Sequence, residues 1–257
     1  MSEGSPRKLH ISLDPVEEQC FSTWLRLLNE IDVPYAVGGA FAVGAYTSVF
    51  RDTKDLDVFL RPRDLRKILE ATSTGGFRVE VTDVYWLAKV HAPPFFMDII
   101  FGLQNNCIRI TRDWFRSAVP VEILGVPTHV LGIEELIASK MYVARRDRFD
   151  GSDIVHLIKA KKGRIDWDRL LEILGEDSTL LLWHLILFDF VYPGYSSYLP
   201  QPLMHELFER IRNRWQKDVS TKLCYGTVLD PLQFDGDCEK DPRPLGMPPV
   251  DEQGDPL

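Results

Sequence analysis

Asp55 and Asp57 stand one residue apart in the run KDLDVFLRP, and Asp98 interrupts the otherwise apolar PFFMDIIFG. On a strand, residues two apart share a face, here about 6.6 Å between Cα atoms, which leaves Leu56 and Val58 for the core. Two carboxylates that close repel each other unless a cation lies between them. A hard divalent ion such as Mg²⁺ meets the need, because it takes a few carboxylate oxygens and fills its other positions with water and phosphate oxygens. Asp98 poses the same problem, since a charge buried without a partner is prohibitive. Its surroundings therefore require a neighbouring strand that supplies a cation or a bound metal. If that strand is the one carrying Asp55, three carboxylates converge. Three carboxylates can hold two Mg²⁺ ions about 3.5–4 Å apart, the arrangement that serves phosphoryl and nucleotidyl transfer. Asp55 and Asp57 then carry the metals, while Asp98 completes one metal site and takes the acceptor's proton.

Upstream, Gly38 and Gly39 follow the short apolar run YAV and precede AFAVGAYTSV. A glycine pair between a strand and a helix start leaves backbone N–H groups and a positive helix end open to a phosphate; it also serves to let a helix approach a sheet closely. Taken together, Gly38-Gly39, Asp55-Leu56-Asp57 and Asp98 resemble the polymerase-β-type nucleotidyltransferase superfamily over roughly residues 30 to 102. Where that pattern has a phosphate-binding serine after the glycines, this chain has Ala40 and Phe41, so backbone donors, Arg51, Thr53 or Lys54 would have to substitute. A looser similarity runs through EELIASKMYVARRDRFDGSDIVHLI, which is similar to the Lys…Arg…Asp segment of small bacterial nucleotidyltransferases, abortive-infection toxins among them. The resemblance implies an enzyme that moves a nucleoside monophosphate from an NTP substrate to an acceptor hydroxyl on a small molecule, a protein or a tRNA, with release of pyrophosphate. In the toxin variant it implies an antitoxin protein as partner. The alternative is a catalytically silent domain of the same type that binds nucleotide or a partner protein.

In that downstream segment Ile133, Leu136, Ile137, Met141 and Ala144 form an apolar stripe, and Lys140 falls within it. A lysine there needs an anion, either a nucleotide phosphate, which the resemblance favours, or Asp153. Arg145 and Arg148 could join a phosphate site, whereas Asp150 and Asp153 have the spacing of a helix cap and its third-position partner.

The elements that would hold these residues are legible from patterning. Asp14 and Pro15 open a helix with Phe21, Trp24, Leu25 and Leu28 on its apolar side. Strands are expected at PYAV, KDLDVFL, FRVEVT, WLAKVHA and PFFMDIIFG, with helices at AFAVGAYTSV and RDLRKILEAT, then a pair of β segments around LGVP. This order predicts an α/β (α+β) fold, a mixed β-sheet core with flanking helices and a C-terminal helical region. The expected divisions are a catalytic core at 1–145, a helical domain at 146–228, and a mobile, acidic, proline-rich tail at 229–257.

That tail carries eight acidic and two basic residues, so it accounts for −6 of the chain's formal charge of −8 and leaves the body nearly neutral. No polycationic surface for nucleic acid is evident. Cys20, Cys107, Cys224 and Cys238 lack the paired spacing of a zinc site or redox dithiol, and reduced thiols are the expectation. MSEGSPRKLH has no apolar signal core, and TLLLWHLILFDFV is too short to span a bilayer. A cytoplasmic protein with no membrane partner is expected.

Overall fold

The computed structural model of the 257-residue chain describes residues 7–8, 13–51, 53–103, 108–220, 223–237 and 247–256. It divides into two units, Met1–Gly132 with Leu245–Leu257, and Ile133–Pro244.

The first unit is built on a mixed eight-stranded sheet in the order β1-β7-β8-β2-β3-β6-β5-β4. Its strands are β1 (Arg7–Lys8), β2 (Tyr35–Val37), β3 (Asp55–Leu60), β4 (Arg78–Asp83), β5 (Leu87–Ala92), β6 (Phe95–Ile100), β7 (Val119–Ile123) and β8 (Val126–Val130). Helices α1 (Pro15–Glu30), α2 (Gly39–Thr47) and α3 (Leu65–Thr74) complete it. Asp14 caps α1 by accepting the Val16 N–H at 2.8 Å, and Pro15 occupies the first turn, where its missing N–H costs nothing. The apolar side of α1 places Phe21, Trp24, Leu25 and Leu28 out of water altogether. Helix α2 is apolar on all sides, and Phe41, Ala42, Val43, Gly44 and Ala45 are buried, which suits a helix enclosed by its neighbours.

β3 is an inner strand. It pairs antiparallel with β2 and parallel with β6, and Leu56, Val58 and Leu60 alternate into the core with no solvent exposure. β5 and β6 form an antiparallel hairpin in which Ala92 faces Phe95 across Pro93-Pro94. The register of the whole hairpin follows from that two-residue connection.

The second unit is helical, with α4 (Ile133–Met141), α5 (Gly151–Lys161), α6 (Trp167–Leu174), α7 (Ser178–Val191) and α8 (Gln201–Trp215). Leu136, Ile137, Tyr142, Ile154, Leu157, Leu181, Leu185, Phe188 and Leu207 make its core. Several polar groups inside it are matched. The Tyr142 hydroxyl donates to Asp177 at 2.8 Å, and buried Glu135 pairs with Arg169 at 3.2 Å.

Helix α4 packs with α5 and α6, so it belongs to the second compact unit, which begins at Ile133. In the expected tail, Asp230 and Val250 are buried, and Arg66 of α3 meets Asp255 at 3.3 Å. Cys20 is a free thiol as expected, but Cys224 is disulfide-bonded, while Cys107 and Cys238 lie outside the described residues. Among the described residues no helix is long and apolar enough to cross a membrane.

Candidate active site

The parallel pairing of β3 with β6 sets Asp57 directly beside Asp98, and Asp55 beside Phe96. Period-2 alternation puts Asp55 on the same face as Asp57, and registered neighbours in a sheet share a face, so all three carboxylates project from one side. Each offers a ligand oxygen, and these oxygens lie within 4.8 Å of one another. All three residues are half-buried, with the apolar alternates Leu56, Val58, Met97 and Ile99 fully buried beneath them.

The glycine pair closes the site from the β2–α2 side. The Gly38 N–H donates to the Asp57 carbonyl at 2.9 Å, which ties the start of α2 to β3. Gly39 has φ +51°, a left-handed conformation that costs a side-chain-bearing residue about 1–2 kcal/mol. A Cβ at Gly39 would stand 1.7 Å from Asp57 Oδ2, and one at Gly38 would stand 2.3 Å from the Phe59 ring. Bare backbone therefore occupies the space beside the Asp57 carboxylate that any other residue type would fill. The first-turn N–H groups of α2 have no partners within the helix and lie at its positive end.

Two neighbours fix the outer carboxylates. The Thr53 hydroxyl donates a hydrogen bond to Asp55 Oδ1. Lys89 of β5, directly opposite Asp98 in the β5–β6 register, places Nζ 2.5 Å from Asp98 Oδ1 and 4.1 Å from the centroid of the Phe96 ring. Lys89 was not among the residues singled out from the sequence. The signal was present: Pro93-Pro94 as a two-residue turn pairs positions whose numbers sum alike, and 92 with 95 implies 89 with 98. Arg51 and Lys54 are exposed on the segment leading into β3, and the Lys54 carbonyl accepts the Phe96 N–H at 3.1 Å.

The residues fit a hard divalent ion. The donor set is three carboxylates with converging oxygens, and the missing Cβ of Gly39 leaves the flank of Asp57 lined by backbone.

The downstream candidates belong to the second unit. Lys140 is buried, with Nζ 3.0 Å from Asp150 and 2.9 Å from Asp153, so Asp153, one of the two anions left open by the sequence, is engaged, and Asp150 with it. Burial alone would push the Lys140 ammonium down, but the two carboxylates outweigh it and hold its pKa above the ordinary lysine range. Burial would likewise raise Asp150, and Lys140 with Arg148 outweighs it, so its carboxyl lies below the ordinary range. Arg148 takes Asp150 with Nε at 3.1 Å and Nη2 at 3.2 Å. Asp150 occupies the position before α5 without a capping hydrogen bond from its side chain, which corrects the cap expected there: its oxygens are spent on Lys140 and Arg148. Arg145 is partly buried, and its Nε has no hydrogen-bond partner among the described residues.

No curated protein matches the chain. Several solved structures are similar at low identity. The antibiotic-resistance factor ANT(2'')-Ia is 17% identical over 70% of this chain and 99% of its own, with a TM-score of 0.47. An antigenic nucleotidyltransferase-like protein from Paracoccidioides brasiliensis is 16% identical over 72% of this chain and 93% of its own, with a TM-score of 0.46. The lincosamide antibiotic adenylyltransferase LnuA is 18% identical over 55% of this chain and 95% of its own, with a TM-score of 0.40. A family described as "Nucleotidyltransferase of unknown function (DUF6036)" matches residues 26–188, a span that holds the glycine pair, all three aspartates and Lys89. With more than half of its length inside that match, the chain belongs to this nucleotidyltransferase family.

Proposed function

We propose that the first unit carries a Mg²⁺-dependent nucleotidyl-transfer centre, which moves a nucleoside monophosphate from an NTP to an acceptor hydroxyl and releases pyrophosphate. The observation that carries this reading is the convergence of Asp55, Asp57 and Asp98 across the β3–β6 pair, with ligand oxygens within 4.8 Å of one another. Asp55 and Asp57 would hold two Mg²⁺ ions, with Asp98 completing one of the sites. When bound, such ions neutralise triphosphate charge and activate the attacking and leaving oxygens. The chain's own contribution is placement. Gly39 lets the backbone lie against the ligand carboxylate, and the first-turn amides of α2 are the donors for phosphate oxygens in place of the absent serine. Thr53 orients Asp55, and Asp98 is the carboxylate assigned to receive the acceptor's proton. Arg51 and Lys54, exposed beside β3, supply cationic charge for the triphosphate.

An aminoglycoside-like small molecule, a protein side chain and a tRNA 3′ end are the acceptor classes that suit this chemistry, and a toxin role would bring an antitoxin protein as partner. The test is a screen with α-labelled NTPs and Mg²⁺ against cell RNA, total protein and an antibiotic panel, run with the wild-type chain and with Asp57→Asn. The expected result is EDTA-sensitive transfer of label to one acceptor class by wild type and none by Asp57→Asn. NTP binding of equal strength with and without divalent ion, together with no label transfer to any acceptor, would overturn the proposal in favour of a silent nucleotide-binding domain.

A further inference from the structure

Lys89 is the one lysine in the hairpin strand WLAKVHA, and its ammonium is directed along the sheet face onto a carboxylate of the candidate metal site. It is held from two sides, by Asp98 Oδ1 at 2.5 Å and by the face of Phe96, whose centroid lies 4.1 Å away. Both charged side chains are largely shielded, at 23% and 15% exposure. The pair is fixed by backbone register, since Lys89 and Asp98 are cross-strand partners and Asp98 is in turn the registered partner of Asp57. A row of anion, anion and cation thus runs across three adjacent strands.

We infer that Lys89 is a built-in counter-cation of the site: it holds Asp98 while no metal is bound and opposes entry of a divalent ion at that carboxylate until a nucleotide supplies further negative charge. This inference rests on the metal-site reading above. An ion coordinated by Asp98 sits about 2.0–2.1 Å from its oxygen, within a few ångströms of the ammonium that shares the same carboxylate. The two cations then repel, and Asp98 divides its charge between them. For a doubly charged ion and an ammonium at about 4–5 Å, the dielectric of water alone gives a penalty of about 15- to 35-fold in affinity, which salt screening reduces to about tenfold. The phosphates of an NTP offset that repulsion, so ion and nucleotide bind together more strongly than either alone. A lysine serving only to pack β5 against β6 would add nothing to the coupling that metal–phosphate coordination produces by itself.

The experiment titrates Mn²⁺ into the full-length chain without nucleotide, following free Mn²⁺ by its electron paramagnetic resonance signal. Wild type is compared with Lys89→Met, Lys89→Gln and Lys89→Arg, and with Asp57→Asn as the site control. Lys89→Met and Lys89→Gln should bind Mn²⁺ about tenfold tighter than wild type, and Lys89→Arg should stay near wild type. Adding a non-hydrolysable NTP should tighten Mn²⁺ binding more in wild type than in Lys89→Met. Without ion, Lys89→Met and Lys89→Gln should melt below wild type, and saturating Mn²⁺ should close that gap. Unchanged or weaker Mn²⁺ binding in both neutral variants, with the same melting deficit with and without ion, would overturn the inference while leaving the metal site standing. No Mn²⁺ uptake by wild type, or equal uptake by Asp57→Asn, would overturn the metal-site reading and this inference with it.

Discussion

Gly38 and Gly39 are adjacent, and a single methyl group added to each should have sharply different consequences. At Gly39 the backbone lies at φ +51°, and alanine in that region costs about 1–2 kcal/mol. The new methyl would also stand 1.7 Å from Asp57 Oδ2, whereas real Cβ contacts essentially never fall below 3.0 Å. The carboxylate must therefore retreat by about 1.3 Å or more, several times the roughly 0.2 Å tolerance of a metal–ligand distance. Gly39→Ala is expected to lower stability by about 1–2 kcal/mol and to weaken divalent-ion binding by at least tenfold, the scale on which disturbed ligand orientation acts. At Gly38 the methyl would instead meet the Phe59 ring at 2.3 Å, a ring stacked on Trp114 within the core. Gly38→Ala should thus cost about 1–3 kcal/mol by overpacking while leaving ion affinity within a few-fold of wild type. Urea denaturation and a Mn²⁺ titration on both variants measure the two quantities separately. Wild-type ion affinity in Gly39→Ala, or equal losses of affinity in the two variants, would refute the claim that Gly39 is present to make room beside a metal ligand.

Lys140→Met should destabilise the chain by about 3–5 kcal/mol, because it leaves the buried Asp150 and Asp153 without their common cation; adding Asp153→Asn should restore part of the loss. A loss below about 1 kcal/mol in urea denaturation would show that Lys140 is not held there for stability. Burial pushes the His184 imidazole below its ordinary range. Its folded pKa is therefore below its unfolded value, so its contribution to stability is complete above about pH 6.5 and is lost as pH falls. Thermal melts between pH 7 and 5 should show wild type losing more stability than His184→Leu, and parallel curves would contradict this. Burial first, and Glu17 second, push the Cys20 thiol up to about 11. Its alkylation by iodoacetamide at pH 8 should be roughly a hundredfold slower than that of an unperturbed thiol, and a rate like free cysteine's would refute the assignment.

The parts of the site that could be read from the sequence are the local ones. Period-2 spacing put Asp55 and Asp57 on one face with Leu56 and Val58 beneath, and the structure keeps that arrangement. The Asp14-Pro15 signal fixed the start of α1 because capping is a matter of neighbouring residues. The pairing of Asp98 with Asp57 could be stated only as a condition, since α3, β4 and β5 intervene between β3 and β6 and no local signal selects a parallel partner. Lys89 was within reach through the hairpin register, but a single lysine in a strand that also carries His91 reads as a solvent-facing residue until its partner is known. Likewise, the apolar stripe showed that Lys140 needs an anion, while the choice between phosphate and carboxylate depended on how α4 meets α5. The burial of Val250 near the end of an acidic, proline-rich stretch also had no local sign, because composition averages over the one residue that packs.

The most direct test of the central claim is anomalous diffraction from crystals of the wild-type chain soaked with Mn²⁺ and a non-hydrolysable NTP. Two anomalous peaks about 3.5–4 Å apart, liganded by oxygens of Asp55, Asp57 and Asp98, are the predicted result. Anomalous density elsewhere, with none among these three carboxylates at saturating Mn²⁺, would contradict it.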